Sequence, residues 1–285
     1  MKAGAFAYAK PSSLSELFDL LELYGDEAKL LAGGQSLIAA LNMRLAAPAV
    51  LVDINGLAEL SGVTVGSDTL RVGALTRHRS LERSAEIAKY LPLVHKAMPY
   101  VAHAAIRNRG TFGGSIAFAD PAAELPACCI ALDARMELAS KSGCRTVHAR
   151  QFFKGLYETD MRADEVLLGA EFTMPKLGYR SAFLELARRH GDYAIVGVAA
   201  QGKLQDDYFS DVSLVFFGVG AMPILAVNAA AALEAAPFTP STLATVQSAI
   251  SEDLDPYDDI YHSAATKLHL ARVLAGRAIN ALVGK

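Results

Sequence analysis

Two glycine pairs, each flanked by small polar side chains, are the features of the sequence with the clearest chemical potential. The first lies in residues 29–37 (KLLAGGQSL) and the second in residues 111–115 (TFGGS). Glycine allows a positive φ and a close approach of a ligand to the backbone. Where such a turn leads from a strand into a helix, its amides and the helix N-terminus favour an anion such as phosphate. A lone Gly-Gly turn is more commonly an ordinary turn, so the prediction depends on the second loop.

The second loop is accompanied by polar side chains that suit a nucleotide. Thr111 and Ser115 offer hydroxyls to phosphate oxygens, and Glu124 can accept a hydrogen bond from a sugar hydroxyl. The spacing is not that of a Rossmann fingerprint, neither loop reads GxGxxG, and neither carries the lysine and hydroxyl of a P-loop. Two glycine loops and one acid predict a diphosphate bound between two subdomains.

The surrounding pattern predicts elements that would position these loops. Residues 29–32, 37–44 and 50–54 read as a strand, a helix and a strand, which is a small parallel unit with Gly33 and Gly34 at the carboxyl end of its first strand. The middle third predicts antiparallel hairpins and helices, including one helix over residues 80–90 and another over 92–105, kinked at Pro99. Three strands and then three helices follow, which indicates an α+β domain after a boundary near residues 175–180.

Bulk composition excludes several classes of function. The chain has 285 residues, 52% of them hydrophobic and 20% charged, so it can bury large cores. Its formal net charge of −3 and the lack of a basic block argue against nucleic-acid binding. The sequence starts no signal-peptide region, and charges interrupt every apolar run before transmembrane length. A cytoplasmic protein without an integral membrane segment is expected.

Cysteines and histidines predict no metal site. The three cysteines lack CxxC spacing, which argues against a disulfide framework and a self-contained zinc or iron–sulfur site. Cys128 and Cys129 read as buried small hydrophobes. The seven histidines are scattered, with neither HxxxH nor HExxH spacing.

Three motifs in order resemble the FAD-binding medium subunit of molybdenum hydroxylases, the family of xanthine dehydrogenase and carbon monoxide dehydrogenase. They are residues 32–37 (AGGQSL), 111–116 (TFGGSI) and 188–199 (RRHGDYAIVGVA), and the resemblance covers nearly the whole chain. It implies an α+β fold: a vanillyl-alcohol-oxidase-type (PCMH-type) FAD domain over residues 1–176, with subdomains 1–56 and 57–176. A C-terminal domain like that of CO dehydrogenase flavoproteins follows over 177–285, with a three-stranded antiparallel sheet and a helix bundle.

The resemblance also implies cofactor-binding residues and leaves no residue of this chain with a catalytic role. The two loops would wrap the FAD diphosphate, Glu124 would bond the adenosine ribose, Leu167 would contact the adenine or the ring system, and Tyr193 would lie near the isoalloxazine. The implied set is Lys29, Leu31, Ala32, Gly33, Gly34, Gln35, Ser36, Leu37, Val101, Ala102, Ile106, Thr111, Gly113, Gly114, Ser115, Glu124, Leu167 and Tyr193. Two departures from the family pattern are Phe112, for the usual Ile or Leu, and Leu184, where some relatives place a lysine near the flavin.

The implied function is that of a flavoprotein subunit in an oxidoreductase complex. Electrons would pass from [2Fe-2S] clusters of a small partner subunit through FAD to an external acceptor, and a large partner subunit would carry molybdopterin and the substrate pocket. A dimer of heterotrimers is expected. Two alternatives are a self-contained FAD-dependent oxidase of the same superfamily and a non-catalytic scaffold subunit. The substrate class stays open among N-heterocycles, aldehydes, carbon monoxide and aromatic acyl thioesters, and so does the acceptor.

Overall fold

The computed structural model describes residues 2–284, and its first unit is a small parallel sheet with helices. The strands are β1 (Ala7–Ala9), β2 (Ala28–Leu31) and β3 (Val50–Asp53), in the order β1-β3-β2. The helices are α1 (Leu14–Tyr24) and α2 (Leu37–Asn42). Ser13 caps α1 by accepting a hydrogen bond from the Glu16 amide, as the sequence predicts. The connection from β2 to α2 carries the first glycine pair, so this unit presents Gly33 and Gly34 at the predicted sheet edge.

The second unit is a five-stranded antiparallel sheet with a layer of short helices. Its strand order is β4-β5-β10-β6-β7, and β8 and β9 form a separate two-stranded ribbon. The strands are β4 (Val63–Val65), β5 (Thr69–Gly73), β6 (Arg135–Ser140), β7 (Gly143–His148), β8 (Phe153–Gly155), β9 (Glu158–Thr159) and β10 (Val166–Thr173). The helices are α3 (His78–Arg83), α4 (Ala85–Tyr90), α5 (Pro92–Ala97), α6 (Ala104–Arg107), α7 (Phe112–Phe118), α8 (Glu124–Ala131) and α9 (Ala149–Phe152).

Two of the long helices expected in this unit are interrupted. The helix predicted over residues 80–90 is two helices, because Ser84 adopts an extended conformation and caps α4 by accepting from the Ile87 amide. The helix predicted over 92–105 does not continue through a kink at Pro99. It ends at Ala97, and Ala102 has a φ of +44° before α6 begins. A proline lacks the amide that would continue the helix, so the chain turns here.

The C-terminal unit is an antiparallel sheet covered by three helices. The sheet has the order β11-β12-β13-β14, with β11 (Tyr179–Ala187), β12 (Ala194–Gln205), β13 (Tyr208–Phe217) and β14 (Ile224–Leu225). The predicted three strands are therefore joined by a fourth of two residues. The helices are α10 (Val227–Glu234), α11 (Pro240–Asp253) and α12 (Ala264–Val283). None of the helices in residues 2–284 is long and apolar enough to cross a membrane.

Both faces of the C-terminal sheet are buried, and one of them packs on the second unit and so joins the two. One face packs on α10 to α12 through residues such as Val198, Leu214 and Ile279. The other face contributes Phe183 and Phe217 to the core that is built around α5, α7 and α8. Phe183 stacks on Phe217 at a centroid distance of 5.6 Å and also contacts Tyr100 at 5.3 Å. Apolar packing on both sides fixes the orientation of the strands that approach the candidate site.

Candidate functional site

A cleft of about 630 Å³ opens where the three units meet. Its lining comes from the loop between β2 and α2, the segment from Val101 to α7, the start of α8, the approach to β10, and the turn between β11 and β12. The volume lies within the range that small-molecule and cofactor sites occupy. The predicted residues that line it are Lys29, Ala32, Gly33, Gly34, Gln35, Ser36, Leu37, Val101, Ala102, Ile106, Thr111, Gly113, Gly114, Ser115, Glu124, Leu167 and Tyr193.

Leu31 is the one predicted binding residue that does not line the cleft. Its Cδ1 atom packs towards Gly34, where a β-carbon would lie 3.3 Å from it. The preceding strand residue, Leu30, contributes to the lining instead. Leu31 therefore supports the first loop from its own strand rather than from inside the cleft.

The first glycine loop presents unused backbone donors to the cleft. Gly34 has a φ of +71°, a conformation that glycine adopts without strain. Within residues 2–284, the amides of Gly33, Gly34, Gln35 and Ser36 have no protein acceptor. The Gln35 side chain folds back and donates through Nε2 to the Gly33 carbonyl oxygen at 3.0 Å. Consecutive amides that face a cavity bind oxyanions, so this loop has the chemistry of a diphosphate cradle.

The second glycine loop is built differently, because its own fold uses most of its amides. The Phe112 amide donates to the Thr76 carbonyl at 2.9 Å, and the Gly113 amide donates to the Ala74 carbonyl at 2.7 Å. Gly113 packs so closely on Ala74 that a β-carbon would come within 2.8 Å of its Cα atom. The Thr111 hydroxyl caps α7 by accepting from the Gly114 amide at 3.1 Å. The second loop is therefore held in place by its own hydrogen bonds and lines the cleft without offering these amides to a ligand.

Val101 and Ala102 form a turn that lines the cleft, and an ion pair between Arg107 and Glu82, which do not line the cleft, holds this turn. Arg107 forms two hydrogen bonds with Glu82, at 3.0 and 3.1 Å. Its third nitrogen donates to the carbonyl oxygens of Val101 and Ala102, at 3.1 and 3.0 Å. These bonds hold Ala102 at its positive φ of +44°. A non-glycine residue keeps such a conformation only when its surroundings impose it.

Two carboxyl groups, those of Asp120 and Glu124, also line the cleft. Burial, together with the nearby charge of Asp120, raises the pKa of Glu124 to about 7. Burial also raises the pKa of Asp120. It raises the pKa of the Tyr193 hydroxyl as well, and the charges of Asp120 and Glu124 raise that pKa in the same direction. Tyr193 is 70% exposed, so its ring stands at the mouth of the cleft. A carboxyl group with few protein partners at this depth is suited to accept hydrogen bonds from ligand hydroxyls.

His78 lines the cleft and was not predicted from the sequence, because an isolated histidine gives no motif. It is 6% exposed, and its Nε2 lies 2.8 Å from the Thr111 carbonyl oxygen. Burial lowers the pKa of His78 to about 4, so the imidazole is neutral at pH 7 and donates through Nε2 to that oxygen. A second part of the lining that was not predicted comes from Thr159, Met161, Arg162 and Ala163. This segment carries no recognisable motif either.

The residues near the cleft do not form a metal site. Nowhere in the described part of the chain do three His, Cys, Asp or Glu side chains cluster closely enough to hold a metal ion. Cys128 and Cys129 are fully buried in α8, as predicted, whereas Cys144 on β7 is exposed.

The fold and the cleft together define a protein that binds a dinucleotide-like ligand. The cleft is lined by the two N-terminal units and by the C-terminal α+β unit. A family described as the FAD binding domain in molybdopterin dehydrogenase matches residues 4–176, and the CO dehydrogenase flavoprotein C-terminal domain matches residues 181–282. The chain belongs to the family of FAD-binding medium subunits of molybdenum hydroxylases.

Relatives and solved structures agree over the full length. The chain is 36% identical over 282 residues to subunit alpha of the 6-hydroxypseudooxynicotine dehydrogenase complex of Paenarthrobacter nicotinovorans, covering 98% of this chain and 95% of the other. It is 36% identical over 280 residues to caffeine dehydrogenase subunit beta of Pseudomonas sp. (strain CBB1), with the same coverage. A chain of the carbon monoxide dehydrogenase structure from Hydrogenophaga pseudoflava superposes with a TM-score of 0.97 at 34% identity, covering 100% of this chain and 99% of that one.

The residues of this cleft fit FAD, the cofactor of the family. The unused amides from Gly33 to Ser36 match a diphosphate, and the buried carboxyl of Glu124 matches a sugar hydroxyl. Apolar side chains of Val101, Ile106 and Leu167 also line the cleft and can pack on aromatic rings. The chain is a flavoprotein component of an oxidoreductase.

Proposed function

We propose that this chain is the flavoprotein subunit of a heteromeric molybdenum-containing hydroxylase, in which its FAD connects [2Fe-2S] clusters of a partner subunit to an external electron acceptor. The observation that carries the proposal is that both glycine loops, Glu124 and Tyr193, distant in sequence, line one cleft. The cofactor supplies the redox chemistry, and the protein binds and orients it. Family membership and full-length coverage of the relatives support the proposal.

Within the cleft we assign the predicted residues to parts of FAD. The loop amides of Gly33 to Ser36 bind the diphosphate, with the Ser115 hydroxyl on the opposite wall. Glu124 accepts a hydrogen bond from the adenosine ribose. Val101, Ala102 and Leu167 pack on the adenine or the ring system, and Tyr193 covers the isoalloxazine. These assignments rest on the cleft lining and on the unused donors of the first loop.

Flavin content tests this proposal directly. We expect purified protein to show flavin absorption bands and to release FAD on denaturation. Glu124→Ala is expected to lower the FAD content, since the ribose loses its acceptor, whereas Glu158→Ala, an exposed glutamate outside the cleft, leaves it unchanged. A colourless protein that cannot be reconstituted with FAD would contradict the proposal.

We further propose that the chain divides into an FAD-binding domain, residues 1–176 with subdomains 1–56 and 57–176, and a C-terminal domain, residues 177–285. The division is supported by the end of β10 at Thr173, the start of β11 at Tyr179, and the bounds of the two matching families. Limited proteolysis tests it: cleavage is expected first near Leu177, which is 98% exposed. Early cleavage inside β10 or β11 would contradict this boundary.

We also propose a cytoplasmic dimer of heterotrimers with a large molybdopterin subunit and a small iron–sulfur subunit. The names of the relatives as subunits of dehydrogenase complexes support partner chains. Exposed apolar side chains such as Leu45, Ile260 and Tyr261 provide surface for them. Relatives named for 6-hydroxypseudooxynicotine, caffeine and carbon monoxide match this chain over nearly its full length, so the large partner would set the substrate. Co-purification from the native cell and identification of the chains test for the large and the small partner subunit. Mass measurement of the complex tests for the dimer of heterotrimers. A stable monomer without partners would contradict the proposal.

A further inference from the structure

The two glycine loops touch each other, but the bonds that connect them come from two other residues. Gly33 lies against the residues directly before the second loop: a β-carbon on it would come within 2.8 Å of the Gly110 Cα atom. Among the described residues, no hydrogen bond joins residues 33–37 directly to residues 109–115. Asn55 follows β3, and Arg77 precedes α3, so both come from outside the loops.

Asn55 holds the first loop where it leaves β2. Its Nδ2 atom donates to the Ala32 carbonyl oxygen at 2.8 Å and lies 3.3 Å from the Leu31 carbonyl oxygen. Asp53 fixes the orientation of the amide, because its Oδ1 accepts from the Asn55 backbone amide at 3.0 Å and from Nδ2 at 2.6 Å. The carbonyl groups bound by Asn55 directly precede residues 33–36, which line the cleft and whose amides have no acceptor among the described residues.

Arg77 continues this connection to the second loop. One guanidinium nitrogen donates to Asn55 Oδ1 at 2.6 Å, and the other terminal nitrogen donates to the Arg109 carbonyl oxygen. The planar guanidinium can serve both acceptors at once, which a single ammonium group cannot do in the same geometry. A chain of hydrogen bonds thus runs from Ala32 through Asn55 and Arg77 to Arg109, and we call it the loop bridge.

Neither Asn55 nor Arg77 lines the cleft. Both instead line a separate cavity of about 300 Å³, together with residues such as Ser61 and Ser80. Any effect of these side chains on a ligand in the cleft must therefore act through the loops that they hold.

We propose that Asn55 and Arg77 are positioning residues that keep the two glycine loops at the spacing FAD binding requires. Without the bridge, no hydrogen bonds among the described residues connect the first loop to the second, and its amides sample orientations that do not converge on one diphosphate. Binding then has to restore the order of the loop, which weakens affinity without removing a contact to the ligand.

The test is FAD titration into the deflavinated full-length chain, followed by flavin fluorescence, with thermal unfolding of the same preparations. Asn55→Ala and Arg77→Met are each expected to raise the Kd for FAD about 10-fold, ~1.4 kcal/mol. The double variant is expected to stay within about 3-fold of either single variant, because all three break the same bridge. Arg79→Met, which removes a neighbouring arginine with no bonded partner among the described residues, is the matched control and leaves the Kd unchanged.

Two conservative variants separate positioning from charge and from misfolding. Arg77→Lys keeps the positive charge but not the two bonds, so it is expected to bind FAD as weakly as Arg77→Met. Asn55→Asp keeps the side-chain volume but loses the donors to Ala32 and Leu31, so it is expected to behave as Asn55→Ala. Wild-type affinity in Arg77→Lys, multiplicative losses in the double variant, or an affinity loss matched by a lower melting temperature of the deflavinated protein would each overturn the proposal.

Discussion

Gly33 of the first glycine loop packs against Gly110, the residue directly before the second loop, with room for a hydrogen atom but not for a methyl group. A β-carbon at position 33 would lie 2.8 Å from the Gly110 Cα atom and closer still to the Arg109 carbonyl oxygen. Both obstacles are backbone, which cannot rotate away as a side chain can. This contact joins the two loops into one binding element. It also explains why residue 33 is a glycine although its φ is not positive.

Gly33→Ala is therefore expected to push the loops apart. We predict a loss of FAD affinity of about 10-fold or more, since overpacking of this kind typically costs about 1–3 kcal/mol. The measurement is FAD titration by fluorescence. Gly56→Ala is the control, because a β-carbon there meets its nearest neighbour, Lys10 Cε, at an ordinary 3.5 Å. Equal affinity of the two variants would show that the contact at Gly33 does not matter for binding.

Valine at Gly34 or Gly114 is expected to abolish FAD retention for two different reasons. Gly34 has a φ of +71°, which a β-branched residue adopts only under strain. A β-carbon on Gly114 would lie 2.7 Å from Thr111 Oγ1 and displace the cap of α7. The C-terminal domain has its own core and is expected to stay folded. Flavin absorbance and circular dichroism check both points, and normal flavin content in both variants would contradict the two-loop site.

Reactivity of the thiols provides an independent check of the fold. Cys128 and Cys129 are buried in α8, and burial raises the pKa of both, whereas Cys144 is exposed on β7. The thiolate is the reactive form, so a thiol reagent is expected to modify one cysteine per folded chain quickly and all three only after unfolding. Cys144→Ser removes the fast phase. Fast modification of that variant would show that α8 is accessible.

Much of the binding site could be predicted because its signals are local. A buried strand, a glycine pair and a helix specify where the first loop lies, and Glu124 follows the second loop at short range. The family resemblance implies the other candidate residues, and of the implied set only Leu31 does not line the cleft. The bounds of helix α1 likewise follow a capping serine and an apolar run.

The features that sequence reasoning missed depend on contacts between distant segments. Thr76 and Ala74 accept the amides of the second loop, so its glycines serve packing as well as the site. The pairing of Arg107 with Glu82 spans different helices and carries no motif. Likewise, Pro99 predicts a kink, but whether the chain kinks or turns depends on what can hold Ala102 at a positive φ.

Arg107→Met is predicted to loosen the Val101–Ala102 turn. The variant removes the bonds to both carbonyl oxygens and leaves Glu82 without its partner. We expect the deflavinated protein to lose about 2–4 kcal/mol of unfolding free energy, because a partly buried charge loses its counter-charge. Urea unfolding measures this. Arg83→Met on the exposed side of α3 is the control. A loss no larger than the control's would mean that the turn is held by other contacts.

Glu185 gives the deflavinated chain a predictable pH dependence. It lies on β11, its Oε2 atom is buried without a partner among the described residues, and burial together with the charge of Glu124 raises its pKa from 4.5 to about 8. The folded state therefore binds more protons than the unfolded state between these values. Stability is highest at the acidic end of this window and falls as the pH rises through about 8.

Glu185→Gln keeps the shape of this side chain and removes its titration. We expect the variant to be more stable than the parent at pH 9, by about 1–3 kcal/mol after allowance for partial exposure, with the difference shrinking towards pH 5. Urea unfolding of deflavinated protein from pH 5 to 9 measures it. Glu59→Gln, which replaces an exposed side chain, should follow the parent at every pH. If Glu185→Gln retains the parent's slope above pH 6, the buried carboxyl is not the group that titrates, and Glu124, with a pKa of about 7, becomes the residue to replace next.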